Sequence, residues 1–331
     1  MKAALLLAPH KIEIRQVPEP RAGVGQVLIE PTLAGVCGSD VSFYAGHRTP
    51  PAYPLLLGHE IVGHVCAVGE GVTRVKLGQR VIVEPNYPCG ECAFCRAGRG
   101  NICPNKKSLG VNLPGCFAER FIAPAEFVWD IPPTVGDADA ATVEPLAVSL
   151  HALWQSGARM GDTVAVLGCG ATGLLLTHAA VAQGVRVLAH DKFPDKQAMA
   201  ERLGAVIPSN GDIARVWQAE NVTTVFECAG ATATVDIALS SVPRGGQVVL
   251  MGLATGTASF VPLRLVREEI RVSGSIIYDH PADFRKAIAL VAAGTLQPSR
   301  IVTDTLSFGE IARALDVAST GQSGKLHVRL S

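Results

Sequence analysis

The chain reads as an α/β protein of two domains, a small β-rich domain and a doubly wound parallel sheet. Three observations predict this. The first 85 or so residues are short β-branched runs broken by Gly and Pro. From residue 162 onward, buried-strand runs alternate with helical patterns. A glycine-rich turn joins the first such strand to the first such helix. A length of 331 residues suggests two domains rather than one, and 48% apolar residues supply a sizeable core.

The first region contains Val27-Leu28-Ile29-Glu30 and Glu60-Ile61-Val62-Gly63-His64-Val65, both brief and β-branched, with turns at Gly69-Glu70-Gly71 and Leu77-Gly78-Gln79. The opening Met1–Ala8 resembles the start of a signal peptide. Pro9, His10 and Lys11 end its apolar run early, so a strand is expected. Two metal-type motifs follow, Gly35-Val36-Cys37-Gly38-Ser39-Asp40 and Gly58-His59-Glu60, with Glu144-Pro145-Leu146 far off in sequence. Thiolate, imidazole and carboxylate together suit zinc, and a catalytic zinc needs only three protein ligands because it keeps one position open. Each residue alone would more often be a core Cys, a packed His or a surface Glu. The two motifs that follow reverse those odds.

Cys89-x2-Cys92-x2-Cys95-x7-Cys103 holds four thiols in one short stretch. Four Cys close a tetrahedron around a structural zinc and leave no place for substrate. An iron–sulfur cluster or a nucleic-acid-binding ribbon uses similar spacings. The basic residues Arg96, Arg99, Lys106 and Lys107 are present, but aromatic surface is sparse and the chain's formal net charge is zero. Neutrality argues against nucleic acid or an anionic membrane as the main partner. No apolar run approaches the roughly 20 residues of a bilayer span. Nine Cys without an export signal suit metal binding more than disulfides, and a cytoplasmic location is expected.

After Pro145, Leu146, Ala147, Leu150, Leu153 and Trp154 recur at helical spacing, and His151 is taken as an ordinary helix residue. Asp162–Leu167 then reads as a buried strand. It leads into Gly168-Cys169-Gly170-Ala171-Thr172-Gly173, with an apolar helix through Ala182. A second strand, Val185–His190, ends at Asp191, 18 residues beyond Gly173. A glycine triplet alone is weak evidence; between a strand and a helix, with that acid, it is a dinucleotide fingerprint. Gly168 permits the turn, Gly170 the approach of pyrophosphate, and Gly173 close helix–strand packing. Ala171 and Thr172 open the helix whose N-terminus faces phosphate. Asp191 would accept hydrogen bonds from the ribose hydroxyls, favouring NAD over NADP, a preference that Lys192 and Lys196 would soften. Further strands are expected at Thr223–Cys228, Gln247–Gly252 and Arg271–Ile276. Ligands bind at the carboxyl ends of such strands, so Cys228, Ala229, Gly230, Met251, Gly252, Leu253, Ser275, Ile276 and Ile277 are candidates for the nicotinamide side.

With these motifs in this order, the whole chain resembles the zinc-containing medium-chain alcohol dehydrogenases. Glutamate at 144 resembles the branch acting on polyols such as sorbitol, on threonine and on butanediol. The resemblance implies a GroES-like catalytic domain over 1–146 and 280–331, with a structural zinc lobe at 84–108, and a Rossmann domain binding NAD over 147–279. It implies one catalytic zinc among Cys37, His59, Glu60 and Glu144, with Glu60 and Glu144 unordered, and one structural zinc on Cys89, Cys92, Cys95 and Cys103. Ser39 would pass the substrate proton toward solvent, and Asp40 would orient a metal-bound imidazole. The implied reaction is reversible oxidation of a secondary alcohol to a ketone. Alternatives are a non-catalytic NAD-binding redox sensor and a carbonyl reductase. Two departures stand out. Ser42 replaces a histidine of the family's proton relay, leaving water or His47 in its place, and Ile277-Tyr278 replaces an Arg-Tyr pair that holds substrate hydroxyls in sorbitol dehydrogenases. The apolar Ile277, with Phe43, would suit a smaller or less polar alcohol. A homo-oligomer is expected, a tetramer before a dimer, with an edge contact from the strand after Gly245-Gly246 and the run 257–266.

Overall fold

The computed structural model describes every residue except Asn210. The backbone separates into two compact units, Met1–Glu144 with Asp279–Ser331, and Pro145–Tyr278.

The first unit is built on the strand Gln26–Val36, the longest of the chain. It pairs antiparallel with Glu60–Val68 on one side and with Lys325–Arg329 on the other. Arg80–Val83 and Val128–Asp130 extend the sheet at one end and Val302–Ser307 at the other, while Phe121–Pro124 also pairs with Gln26–Val36. A three-stranded sheet of Lys11–Gln16, Lys2–Ala8 and Leu55–Leu56 belongs to the same unit. Met1–Ala8 is thus a strand from Lys2, as its early Pro9 predicts. The core holds Val27, Ile29, Ile61, Val65, Phe117, Phe121 and Val328, all nearly sealed from solvent. Register decides the chemistry here. Gly35 lies opposite Glu60, and Val36 opposite Leu326. The residues just past these pairs, Cys37, His59 and Lys325, therefore gather at one end of three adjacent strands.

The second unit is a five-stranded parallel sheet in the order Arg186–His190, Thr163–Leu167, Val222–Glu227, Gln247–Leu250, Arg271–Gly274. Its helices Ala171–Ala182, Pro194–Arg202, Ile213–Ala219, Thr232–Ser241 and Pro262–Arg267 alternate with the strands. Thr163–Leu167 starts the sheet, and the chain winds first to one side and then to the other. The strand order reverses between Thr163–Leu167 and Val222–Glu227, the switch point where such sheets bind ligands. The helix Ala171–Ala182 ends where its apolar run ends. The last strand is shorter than expected and stops at Gly274, because it is a fully exposed edge with no second neighbour. One expectation is corrected: Gln247–Leu250, the strand after Gly245-Gly246, is interior and cannot supply an edge contact; the edge strand on that side is Arg271–Gly274.

Candidate metal and dinucleotide sites

Cys37 is the N-cap of the short helix Gly38–Tyr44. Its backbone N–H donates to Asp40 Oδ2 at 2.9 Å, and the Gly58 N–H donates to Asp40 Oδ1 at 3.0 Å. One buried carboxylate thus ties the two motifs together. Asp40 Oδ1 also lies 3.7 Å from His59 Nδ1, the ring nitrogen opposite the one beside Ser39. Ligand atoms of Cys37, His59 and Glu60 lie within 4.8 Å of one another. Glu144, buried in the first turn of the helix Val143–Ser156, is outside that group, but its charge acts on His59. Ser39 Oγ is 3.5 Å from His59 Nε2.

Burial pulls the His59 pKa down, yet Asp40, Cys37 and Glu144 together raise it well above the ordinary histidine value. Burial also raises Asp40, against the pull of His59 and two backbone N–H groups. The pocket is therefore electronegative enough to hold a proton on the His59 imidazole. A sulfur, a nitrogen and an oxygen donor in such a pocket fit a borderline-soft divalent ion.

One residue is absent from the sequence reading. Lys325 is fully buried, forms an ion pair with Glu60 Oε2 and donates to the Val36 carbonyl at 3.0 Å. Burial lowers its pKa, but Glu60 and Cys37 outweigh this and the net direction is upward, so it is charged. Gly35 makes room for the pair, since a Cβ there would overlap the Glu60 carboxylate. In sequence, Lys325 is merely a lysine opening a strand, a position normally solvated.

The four lobe thiols sit as a compact cage. Sulfur pairs are separated by 3.9 Å (Cys89–Cys95), 3.4 Å (Cys92–Cys95), 3.9 Å (Cys92–Cys103) and 3.5 Å (Cys103–Cys89). Zinc–sulfur bonds of about 2.3 Å place tetrahedral sulfurs about 3.8 Å apart, so the cage matches zinc and no pair is bonded as a disulfide. Backbone N–H groups of Glu91 and Cys92 pull Cys89 down to about 6, while burial and its thiol neighbours push Cys95 up to about 12. The strand pair Asn86–Tyr87 and Lys107–Ser108 closes the lobe at its base.

In the second unit, Gly168 has φ +94, and a Cβ there would lie 2.7 Å from the Ala229 nitrogen. A Cβ on Gly173 would overlap the Gly168 carbonyl, whereas one on Gly170 would meet nothing within 4 Å. The first and third glycines are needed for packing; the second faces open space, a cradle for phosphate beside the positive helix end at Ala171 and Thr172. Asp191 is fixed by the Cys169 N–H at 2.7 Å and the Phe193 N–H at 2.9 Å. Lys196 is brought beside Asp191, and burial lowers its pKa. Both Lys192 and Lys196 lie over the Phe193 ring. The fit to a dinucleotide is thus one of shape and of charge.

Glu227, also missed in sequence, organises the neighbouring loops. Its Oε1 accepts from the Ala229 and Gly230 N–H groups and from Thr234 Oγ1 at 2.7–2.9 Å. Its carbonyl accepts from the Met251 and Gly252 N–H groups. Cys228–Gly230 and Met251–Leu253 are therefore side by side with Gly168–Gly173. Ser275 bonds back to the Leu250 carbonyl at 2.9 Å, and Ile277 adopts φ +46. Tyr278 is packed away with 2% exposure and does not present its ring to solvent.

Residues 23–133 match the alcohol dehydrogenase GroES-like domain, and residues 171–293 the zinc-binding dehydrogenase domain. The chain belongs to the zinc-containing medium-chain alcohol dehydrogenases. It is 32% identical to a sorbitol dehydrogenase of Bacillus subtilis, over 96% of this chain and 93% of that one. A zinc-binding dehydrogenase of Sinorhizobium meliloti 1021 bound to NADP superposes with TM-score 0.92 at 32% identity, covering 99% and 98% of the two chains. An alcohol dehydrogenase of Escherichia coli CFT073 complexed with NADH gives TM-score 0.93 at 27% identity, covering 99% of both.

Proposed function

We propose that this family member is a zinc- and NAD-dependent dehydrogenase that reversibly oxidises a secondary alcohol, a polyol, diol or hydroxy amino acid, to the ketone. The observation that carries this reading is the sulfur, nitrogen and oxygen donor set of Cys37, His59 and Glu60 in one electronegative pocket, with Glu144 in attendance. A regulator that only sensed nucleotide would have little use for such an open donor set. A carbonyl reductase would share every residue, and the direction of flux separates it.

Cys37, His59, Glu60 and Glu144 would hold the catalytic ion, and Cys89, Cys92, Cys95 and Cys103 the structural one. A zinc ion held in the first site supplies the Lewis acidity that eases loss of the alcohol proton, and NAD supplies the hydride acceptor. Ser39 takes up that proton at Oγ while passing its own toward solvent. Asp40 keeps His59 aimed by facing Nδ1. Lys325 holds one oxygen of Glu60, so Glu60 would offer its other oxygen, and Glu144 would be the second carboxylate of the set. Gly168–Gly173 hold the pyrophosphate. Asp191, with both oxygens already fixed, offers its remaining lone pairs to the ribose hydroxyls, which favours NAD.

By this reading the first unit is the catalytic domain and the second the cofactor domain, in a cytoplasmic homo-oligomer with a tetramer favoured. Relatives of similar identity are named for sorbitol, L-threonine and D-arabitol phosphate, which is the range to search. The test is a panel of polyols, 2,3-diols, threonine and simple secondary alcohols, read as NADH absorbance. NAD reduction with at least one class supports the reading. Failure with all of them in zinc-replete protein, in both directions, overturns it.

A further inference from the structure

The loop following the metal motif carries unpaired cationic and donor groups. Its path is set by the end of the helix Gly38–Tyr44: Ala45 N–H donates to Val41 O, Gly46 N–H to Phe43 O, and Arg48 N–H to Ser42 O. The last bond folds residue 48 back over the helix. The Arg48 guanidinium then stacks on the Phe43 ring at 4.7 Å from its centroid. Phe43 itself is 1% exposed, so its ring lies between the core and the arginine stacked on it.

Phe43 follows Ser39 by four residues on that helix, so the two share a face with Cβ atoms about 5–6 Å apart. Side chains on a helix lean toward its N-terminus, which brings the Phe43 ring over the turn that begins at Ser39. Ser39 Oγ in turn is 3.5 Å from His59 Nε2. A line of neighbours thus runs from Arg48 through Phe43 and one helical turn to Ser39 beside His59, a span on the order of 10 Å. That distance is the reach of a five- or six-carbon chain.

The guanidinium makes no ion pair among the described residues, and neither does the adjacent His47; both are exposed, as is Thr49. Stacking uses the flat face of the guanidinium and leaves its five N–H donors in their fork at the rim. Such a fork matches two oxygens of a phosphate or carboxylate. Exposed as it is, the fork is open to the oxygens of a ligand.

We propose that Arg48, with His47 beside it, reads an anionic terminus on the substrate, so that the alcohol oxidised is a phosphorylated polyol or a polyhydroxy acid rather than a neutral polyol. This rests on the dehydrogenase reading above. It also revises the expectation, drawn from Phe43 and Ile277, of a smaller and less polar alcohol: the Phe43 ring is a platform for a cation, not an open apolar wall.

The experiment compares a neutral pentitol, its terminal phosphate and the aldonic acid of equal length in the wild type, Arg48→Lys and Arg48→Gln. The readout is the ratio of kcat/KM for each anionic substrate to that for the pentitol. The wild type favours one anionic substrate at least tenfold, and the phosphate and acid arms show which. Arg48→Gln lowers that ratio roughly ten- to a hundredfold, the scale of a charge-assisted pair, and Arg48→Lys keeps part of it. Titration calorimetry with inorganic phosphate gives a readout without turnover, and the Gln variant binds it at least tenfold more weakly. A neutral pentitol oxidised as well as its phosphate and acid, or a ratio unchanged in Arg48→Gln, overturns the proposal while leaving the dehydrogenase reading intact. A change in KM for NAD with the ratio unchanged would instead place Arg48 on the cofactor and also overturn it. If no alcohol of any charge reduces NAD but phosphate binding depends on Arg48, the dehydrogenase reading fails and the anion site stands.

Discussion

Replacing Lys325 by Met should destabilise the metal-stripped protein by about 3–5 kcal/mol, the cost of leaving one partner of a buried ion pair unpaired. The size follows from the site. Lys325 and Glu60 have side-chain exposures of 1% and 0%, so water cannot replace the lost ammonium. The orphaned carboxyl would escape its charge by taking up a proton. For a carboxyl of ordinary acidity, near 4.3, that costs about 3.7 kcal/mol at pH 7. The lost bond to the Val36 carbonyl adds about 1 kcal/mol, and the better fit of an apolar side chain returns some of the sum. The sign with pH is fixed. A carboxyl kept neutral in the fold but ionised in the unfolded chain costs more as pH rises, by about 1.4 kcal/mol per unit above the unfolded value. Urea unfolding followed by circular dichroism at pH 5.5 and 7.5, after chelation, measures both terms. Adding Glu60→Gln should restore much of the loss. A Lys325→Met penalty below about 1 kcal/mol, or one that does not grow between the two pH values, would refute the argument.

Three further outcomes follow. Gly173→Ala should weaken NADH binding at least a hundredfold, because its Cβ overlaps the Gly168 carbonyl; calorimetric titration measures it, and wild-type affinity would contradict the packing account. Asp191→Ala should shift the NAD-to-NADP preference toward NADP by at least tenfold, and an unchanged ratio would show that the ribose contact lies elsewhere. Burial holds His190 at about 4, where it accepts a hydrogen bond from Trp217 Nε1 at 3.1 Å. The unfolded chain then binds the extra proton first, so stability is full above pH 6.5 and falls as pH drops toward 4, by about 2 kcal/mol at pH 5 from this group. Replacing His190 by Gln should flatten that part of the urea-midpoint profile, and an unchanged slope would assign it to other groups.

The glycine fingerprint and the cysteine lobe were legible in the sequence because each is local. Gly168–Gly173 needs only the strand before it and the helix after it. Cys89–Cys103 closes on itself. Cys37, His59 and Glu60 were readable as motifs, but their meeting depends on strand register, with Gly35 opposite Glu60. Lys325 and Glu227 were not legible. Lys325 takes its role from Glu60, 265 positions away, whereas the partners of Glu227 are near in sequence but meet its carboxylate only through the folded turn after its strand. Arg48 was hidden in the same way. Its value lies in lacking an acidic partner, and only the folded loop shows that. Edge and interior strands look alike in composition, so the interior place of Gln247–Leu250 shows only in the strand order.

The measurement closest to the main proposal is zinc content beside turnover and cofactor affinity in His59→Gln. Wild-type protein should hold two zinc ions per chain and reduce NAD with an alcohol. The variant should keep one zinc on the cysteine cage, bind NADH as tightly as the wild type, and lose alcohol oxidation by at least a thousandfold. Near-normal oxidation by a variant with one zinc would mean that the Cys37, His59 and Glu60 pocket is not where the alcohol reacts.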